Sequence, residues 1–239
     1  MSELAPLAGI RVLDVSSVLS GPLASMLLAD LGAEVIKVEP PAAPDFTRST
    51  GDAHNAMTAY FYNTNRGKRA IAVDGRRPAG QRILQALADR ADVVVQNMRP
   101  GKAAGIGLDP NECLLRNQSL IYASISGYGS DGPSASEPVY DYVIQAVTGM
   151  VDVQRDPITG LTELTRHFVA DKITSHATFE AILAALFARE RDPQRRGQHV
   201  EVSMHEANLA FIWPDSMMQH SLIEEPDAPT VYPGDYYRV

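Results

Sequence analysis

Short apolar runs alternate with helix-like segments through the first half of the sequence, and this alternation restricts the fold more than any other feature. Four runs have the length and β-branched content of buried strands: residues 11–16, 33–38, 92–95 and 120–125. Between them, residues 23–31 and 79–90 carry the apolar spacing of helices. Buried strands separated by helices are typical of βαβ units, in which helices cover both faces of a parallel sheet. The sequence therefore predicts an α/β fold.

The clearest helical pattern lies in the second half of the chain. Its apolar side chains recur at intervals of three and four residues: Phe179, Ile182, Leu183, Leu186 and Phe187. A strand-like run at 199–203 follows, and a second helical pattern begins at His205. The final residues, 232–239, have the aromatic and β-branched composition of a strand. We expect the sequence to be part of a longer protein.

The composition excludes several classes of protein. With 45% hydrophobic and 21% charged residues, the 239-residue chain can bury a full core. Its formal net charge of -8 argues against a nucleic-acid partner, because such proteins normally present a basic face. The single cysteine, Cys113, excludes an intrachain disulfide and a zinc site built from several cysteines. No secretion signal or membrane-length apolar run is visible, so we expect a cytoplasmic protein without a membrane partner.

A glycine motif follows the fourth strand-like run. Gly127, Gly129 and Gly132 match the G-x-G-x-x-G spacing of dinucleotide-binding loops. Such a site also needs a helix that begins directly after the last glycine, so that its N-terminus faces the pyrophosphate. Residues 133–138 instead contain prolines and serines, which are typical of a loop. An NAD site is not predicted here. A metal site is not predicted either, because His205 lacks the second histidine of a zinc-protease helix.

Three positions could carry chemistry, and each has an ordinary alternative. Asp141 directly precedes an apolar run, where an aspartate most often caps a helix. Lys37 lies near the end of a predicted strand, where ligands bind in open α/β sheets, but a solvated lysine is equally consistent with the pattern. Residues 97–101 follow another strand, so that Arg99 could meet a phosphate, but the segment also suits an ordinary βα turn. The local sequence leaves these alternatives open.

Six segments between about Leu7 and Asn208 recur in the order and spacing of one known family. The segments are 9–14 with 21–22 and 28–40, then 65–68 with 71–74, 97–101 with 107–108, 126–129 with 132–133, 140–141 with 149, and Asp171 with 184–186. Together they resemble the N-terminal part of the class III CoA-transferases, the formyl-CoA and carnitine type. The order of the six segments makes a chance match improbable.

The resemblance implies a Rossmann-like large domain, a smaller second domain and an interlocked homodimer. Residues 1–200 would form the CoA-binding large domain, and residues 201–239 a linker helix and the start of the second domain. Asp141 matches the family's nucleophile, which attacks a donor acyl-CoA to form an aspartyl anhydride and then an aspartyl-CoA thioester. Acyl-CoA and a small carboxylic acid are the implied substrates. No cofactor is expected to be bound covalently before turnover.

The resemblance also implies where coenzyme A binds. The implied contacts are Lys37, Lys68, Asn97, Met98, Arg99, Lys102 and Tyr140. Gly105 replaces a residue that is often basic in the family, which removes one expected phosphate contact, and Lys102 is the candidate to replace it.

Two other functions stay open. The related α-methylacyl-CoA racemases place a histidine before the aspartate matched by Asp141 and a second acid further along, where Asp171 lies here. Tyr140 replaces the histidine, and a phenol with a pKa of about 10 is a poor proton shuttle at neutral pH. The other alternative is a catalytically inactive CoA-binding homologue. No segment matches the Gly-rich loop of the family's second domain, so we expect the 239-residue chain by itself not to turn over.

Overall fold

The computed structural model describes residues 5–55, 57–217 and 221. In chain order the strands are β1 (Arg11–Asp14), β2 (Glu34–Glu39), β3 (Ala53–His54), β4 (Met57–Thr58), β5 (Arg69–Ala72), β6 (Val93–Gln96), β7 (Ile121–Ser126) and β8 (Gln198–Ser203). The helices are α1 (Ser20–Asp30), α2 (Ala59–Asn65), α3 (Pro78–Ala88), α4 (Pro110–Arg116), α5 (Asp141–Val147), α6 (Met150–Val153), α7 (Val169–Arg191) and α8 (Met204–Ser216). Two 3-10 helices lie at Phe46–Ser49 and Ala103–Ile106.

Six strands form one sheet in the order β5-β2-β1-β6-β7-β8, and every pairing in it is parallel. The short strands β3 and β4 form a separate antiparallel ribbon. The order of the six strands is that of a doubly wound, Rossmann-like sheet. It reverses between β1 and β6, and ligands of such sheets bind in the crevice outside the carboxyl ends of the strands at that point.

The central strands contribute side chains to two separate cores, one on each face of the sheet. Val93 and Val95 belong to the first core, to which α1 and α7 contribute Leu28 and Ile182. Val94 belongs to the second core, where residues of α3 and α4 pack. Helices therefore cover both faces, and the predicted α/β fold with a parallel, Rossmann-like sheet is confirmed.

Helix α7 is held at both ends. Near its C-terminus, Arg189 is 1% exposed, and its guanidinium donates to Asp92 Oδ1 (3.2 Å) and to the carbonyl of Ser119 (3.0 Å). Near its N-terminus, Asn208 of α8 donates to the carbonyl of Ala170 (3.1 Å). These contacts hold the first turn of α7 in place near the carboxyl edge of the sheet.

The predicted strands and helices correspond to observed elements with shifted ends. Helices α2 and α4 and strand β5 were not among the predictions, because they are short; β5 is exposed along its whole length and shows no alternation of burial. Strand β8 continues to Ser203, past the predicted domain boundary at residue 200, and the division into two domains stays a prediction. The strand predicted at 232–239 lies outside the described residues. Among the helices that the structure describes, none combines the length and the hydropathy needed to cross a bilayer.

Candidate functional site

A cavity of about 600 Å³ opens at the carboxyl edge of the sheet, where the strand order reverses. Its walls come from the loops after β1 and β6, the end of β7, and the first residues of α5 and α7. The polar residues that line it include Ser17, Asn97, Arg99, Ser126, Asp141 and Asp171. A cavity of this size, with few polar groups in an apolar lining, is typical of a small-molecule site.

The loop after β1 is held in a strained conformation at the edge of this cavity. Val18 has a φ angle of 72°, a left-handed conformation that a β-branched residue rarely adopts. The N–H of Ser17 donates to Asn97 Oδ1 (2.9 Å), and Asn97 Nδ2 donates back to the carbonyl of Ser17 (2.7 Å). The N–H of Val18 donates to Asp45 Oδ2 (3.1 Å). Asn97 therefore joins the two strand ends on either side of the reversal.

Two aspartates at the starts of neighbouring helices meet in the cavity wall. Asp141 is the first residue of α5 and is 3% exposed. Its Oδ2 accepts the backbone N–H of Asp171, in the first turn of α7 (2.8 Å), and its Oδ1 accepts from Gln145 Nε2 (2.6 Å). Both carboxylate oxygens of Asp141 are thus engaged. Asp141 does satisfy a helix N-terminus, as the cap interpretation suggested, but the helix is its neighbour α7.

The carboxyl group of Asp171 lines the cavity and is only partly covered. Burial raises the pKa of this carboxyl, and the nearby charge of Asp141 raises it further, to about 6. Hydrogen bonds from Ser20, the first residue of α1, act in the opposite direction. Asp171 is therefore a carboxylate at neutral pH, but a more basic one than an ordinary aspartate.

Three aromatic side chains, Tyr60, Tyr142 and Phe168, form an aromatic wall beside the two aspartates. The rings of Tyr60 and Phe168 stack with centroids 6.0 Å apart, and those of Tyr142 and Phe168 lie 5.8 Å apart. Burial raises the pKa of the Tyr60 phenol, and the charge of Asp171 raises it further. Tyr60 therefore keeps its proton and stays uncharged throughout the physiological range of pH.

Lys37 and Lys68, two of the predicted CoA contacts, lie in a buried ion cluster with Asp14 and Asp45. Lys68 Nζ lies 2.8 Å from Asp14 Oδ2, and Lys37 Nζ lies 3.3 Å from Asp45 Oδ2. All four side chains are 2% exposed or less. Lys37 Nζ also donates to the carbonyl of Ser16 in the strained loop (2.9 Å). A phosphate contact by either lysine would require these ion pairs to break, and their role in CoA binding stays a prediction.

Burial affects the two partners of the Asp14–Lys68 pair differently. It lowers the pKa of Lys68 to about 8 in spite of the charge of Asp14, whereas the pKa of Asp14 stays low. Burial by itself would raise this pKa, but the charges of Lys68 and Lys37 outweigh it and hold the pKa well below the ordinary value. The hydroxyl groups of Ser16 and Ser25 also donate to the Asp14 carboxylate. The cluster therefore anchors the loop after β1 and consists of groups that are already satisfied.

The other predicted contacts differ in their distance from the cavity. Asn97, Met98 and Arg99 line it from the loop after β6. Tyr140 also lines it and is 76% exposed. Lys102 is exposed and lies outside the lining that the described residues form.

Sequence analysis missed Asp14, Asp45 and the aromatic wall. An aspartate that ends an apolar strand was an available signal for Asp14, since this is where buried polar groups meet a ligand crevice. No local pattern distinguishes Asp45 from any other loop aspartate. The members of the aromatic wall come from three segments far apart in sequence, so that only the folded chain brings them together.

Comparison with known proteins gives the family. Residues 7–239 match CoA-transferase family III. The chain belongs to this family, as the resemblance of its six segments indicated.

The chain is 38% identical over 219 residues to the succinate–glutarate CoA-transferase of Agrobacterium fabrum, a match that covers 89% of this chain and 54% of that protein. It is 36% identical over 218 residues to the acetyl-CoA:oxalate CoA-transferase of Acetobacter aceti, covering 91% of this chain and 54% of that protein. Among solved structures, a CAIB/BAIF family protein from Brucella suis superposes with a TM-score of 0.86 at 33% identity, covering 94% of this chain and 60% of the other. The chain thus spans about half the length of the curated relatives it matches.

Proposed function

We propose that this chain supplies the acyl-CoA site of a CoA-transferase, which moves CoA from a donor acyl-CoA to an acceptor carboxylic acid. Family membership supports the proposal. The observation that carries it is the pair of aspartates in the cavity wall, one of them a partly covered carboxylate of raised pKa. A carboxylate suits this exchange because it can form both an anhydride and a thioester. Oxalate, succinate and glutarate, the acids in the names of relatives, form the first panel of acceptors to test.

The geometry favours Asp171 over Asp141 as the nucleophile. Both oxygens of Asp141 already accept hydrogen bonds, and its side chain is almost fully buried. Both aspartates line the cavity, but Asp171 is the more exposed of the two, and its raised pKa makes its oxygen a stronger base and hence a better nucleophile. In this assignment Asp141 is a positioning residue that holds the first turn of α7. The alternative role of Asp141 as nucleophile, which the resemblance implied, stays a hypothesis that the same experiment tests.

The proposed reaction consists of balanced acyl transfers. An oxygen of Asp171 attacks the carbonyl carbon of the donor thioester and the C–S bond breaks. CoA is released as a thiolate, and the donor acyl group stays on Asp171 as a mixed anhydride. The thiolate then attacks the aspartyl carbonyl carbon, which releases the donor acid and leaves an aspartyl-CoA thioester. The acceptor carboxylate attacks that thioester, and the same steps in reverse deliver the new acyl-CoA and the free carboxylate. Coenzyme A takes part as the thioester substrate. No electron is gained or lost in these steps, so they require no redox cofactor.

The loop after β6 is the proposed binding site of the CoA phosphates. Arg99 lines the cavity and is exposed, so its guanidinium is accessible to a ligand. Hydrogen bonds between a guanidinium and a phosphate are charge-assisted and therefore strong. Met98 and Tyr140 offer apolar surface to the pantetheine arm at the same cavity. Lys102 lies outside the cavity lining, so it would contact CoA only through a phosphate that extends beyond the cavity.

An acyl-CoA racemase is the second candidate, and the residue at position 140 argues against it. Racemisation needs an acid and a base on opposite faces of the α-carbon. Here Asp171 supplies one of these groups at the cavity, but no histidine stands at the position of the other. Tyr140, at the position of the racemase histidine, is 76% exposed.

We also propose a homodimer in the cytoplasm. Large apolar side chains on α5, α6 and α8 are exposed in the isolated chain, among them Val147, Val153, Phe211 and Trp213. Exposed apolar side chains concentrated on a few helices are consistent with a surface that another polypeptide covers. Sedimentation analysis of the natural protein would test the dimer.

The test of the proposed function is chemical trapping of the covalent intermediate. The natural protein is incubated with each acyl-CoA of a panel and then with hydroxylamine, which converts an aspartyl thioester into a hydroxamate. We expect the hydroxamate on the peptide that contains Asp171, and we expect it to be absent in Asp171→Asn. The exposed Asp152, replaced by asparagine, is the matched control and should leave both trapping and transfer unchanged.

Each other outcome contradicts one part of the proposal. A hydroxamate on the Asp141 peptide would make Asp141 the nucleophile. Exchange of the α-proton with solvent deuterium, without trapping or CoA transfer, would favour the racemase. CoA binding with neither reaction would indicate an inactive CoA-binding homologue.

A further inference from the structure

The aromatic wall of Tyr60, Tyr142 and Phe168 leaves apolar surface uncovered inside the cavity. Tyr142 and Phe168 are each 40% exposed, and Phe46, which also lines the cavity, is 56% exposed. The ring of Phe168 contacts the rings of both Tyr60 and Tyr142, so the surface is continuous and largely preformed. A continuous aromatic surface in a cavity gains free energy when it is covered by an apolar or aryl group.

The aromatic wall lies directly beside the reacting carboxylates. Phe168 precedes Asp171 by three residues at the start of α7, and Tyr142 follows Asp141 in α5. The charge of Asp171 also raises the pKa of Tyr60, which requires the phenol to lie near that carboxyl. The group that contacts the wall is therefore the one attached to the carbonyl under attack, which is the acyl chain.

The charges of the lining disfavour a second carboxylate on that acyl chain. Asp141, Asp171 and Glu137 line the cavity, and among the lining residues that the structure describes Arg99 is the one cation. Arg99 lies on the loop after β6, whereas the aromatic wall is built from α2, α5 and the residue before α7. A distal carboxylate at the wall would lose its hydration and meet like charges without a paired cation, which is unfavourable.

We propose, on the basis of the transferase function proposed above, that the acyl group exchanged at this site is uncharged and apolar or aryl. The substrates are thus monocarboxylic acids and their CoA thioesters. Phe168 and Tyr142 are the residues that determine this specificity, because they present the exposed part of the wall.

The test compares acyl-CoAs that differ in one charge. Valeryl-CoA and glutaryl-CoA have chains of equal length, and butyryl-CoA and succinyl-CoA form a second matched pair; phenylacetyl-CoA represents the aryl class. The natural protein should use the uncharged member of each pair with kcat/KM at least about tenfold higher, a ratio typical of small differences in a binding pocket. A preference for glutaryl-CoA and succinyl-CoA would overturn the inference while leaving the transferase function intact. Absence of transfer and of Asp171 trapping with all five thioesters would overturn the proposed function itself.

Variants of the wall test the residues. Phe168→Ala should lower kcat/KM for valeryl-CoA by about tenfold and leave the site of hydroxylamine trapping unchanged. The control is Phe187→Ala, a phenylalanine of the same helix that is 65% exposed and lies outside the cavity lining; it should have no effect. Tyr142→Lys supplies the missing cation and should shift the ratio between valeryl-CoA and glutaryl-CoA toward glutaryl-CoA by about tenfold or more. An unchanged kcat/KM for valeryl-CoA in Phe168→Ala, together with an unchanged ratio in Tyr142→Lys, would show that the wall does not contact the acyl group.

Discussion

Two clusters of buried charge lie at the carboxyl edge of the same sheet, and they have opposite electrostatic characters. The ion cluster pairs Asp14 with Lys68 and Asp45 with Lys37, and the lysines hold the pKa of Asp14 well below its ordinary value. In the aspartate pair, Asp141 accepts a hydrogen bond from the backbone N–H of Asp171, and the pKa of the Asp171 carboxyl is raised to about 6. The first cluster favours the ionised form of its aspartate, whereas the second disfavours the ionised form of a carboxyl beside a cavity. Unfavourable states of this kind are typical of reactive groups.

The largest effect should come from breaking the ion cluster. Lys68→Met leaves the Asp14 carboxylate buried without its cation, so we expect the free energy of unfolding to fall by about 3–5 kcal/mol, measured by urea denaturation at pH 7. The control is the exposed pair of Arg66 and Asp30, for which Arg66→Met should cost about 0–1 kcal/mol.

A double variant distinguishes the stability lost because a buried charge is unpaired from the stability lost because packing changes. Asp14→Asn combined with Lys68→Met removes both charges and should recover part of the stability that the single variant loses. A loss below about 1 kcal/mol in Lys68→Met would show that the cluster does not anchor the fold.

The aspartate pair should respond in the opposite direction. A carboxyl whose pKa is higher in the folded state than in the unfolded chain stabilises the fold while it is protonated, and this stability is lost as the pH rises through the folded pKa. For Asp171 that loss occurs between about pH 4 and about pH 6. Asp171→Asn removes the ionisable group and with it this loss of stability. We therefore expect the free energy of unfolding to rise by about 1–3 kcal/mol at pH 7. The gain should disappear when denaturation is repeated near pH 4.

Asp141→Asn is the matched variant for this prediction. The amide introduced would present an N–H group toward the backbone N–H of Asp171 or toward Gln145, so we expect a loss of stability of about 1–3 kcal/mol. Equal effects of the two substitutions would mean that the two carboxyls share one environment. The same pKa predicts that the rate of covalent trapping falls as the pH drops below about 6.

The smallest effect concerns coenzyme A. If Lys37 anchors the loop after β1 and Arg99 contacts phosphate, then Arg99→Ala should weaken CoA binding by about tenfold, with a reduced dependence on salt. Lys37→Met should weaken the binding of CoA and of dephospho-CoA by the same factor. Calorimetric titration of both ligands against both variants measures this. A loss in Lys37→Met that appears with CoA and not with dephospho-CoA would place Lys37 at the 3′-phosphate, as the resemblance implied.

Local patterns in the sequence were sufficient to predict the parallel sheet and the helices that cover it. Hydrophobic periodicity depends on neighbouring residues, so β1, β2, β6 and β7 are visible as apolar runs, and α7 as a stripe of apolar residues. The short exposed strand β5 lacks such a signal, because its position at the edge of the sheet is decided by its pairing with β2. The order of the family segments also identified the class of protein without a structure.

The role of each charged residue was decided by the tertiary structure. In the sequence, Lys37 and Lys68 look like any lysine near a strand, and Asp141 and Asp171 both look like acids at helix starts. Folding brings Asp14 and Asp45 against the lysines and buries both ion pairs, a partnership that no local pattern indicates. It also buries Asp141 with both carboxylate oxygens engaged and leaves Asp171 partly exposed. The sequence determines which groups the chain carries, but burial and the distance to the nearest charge set the pKa and reactivity of each, and both are properties of the folded chain.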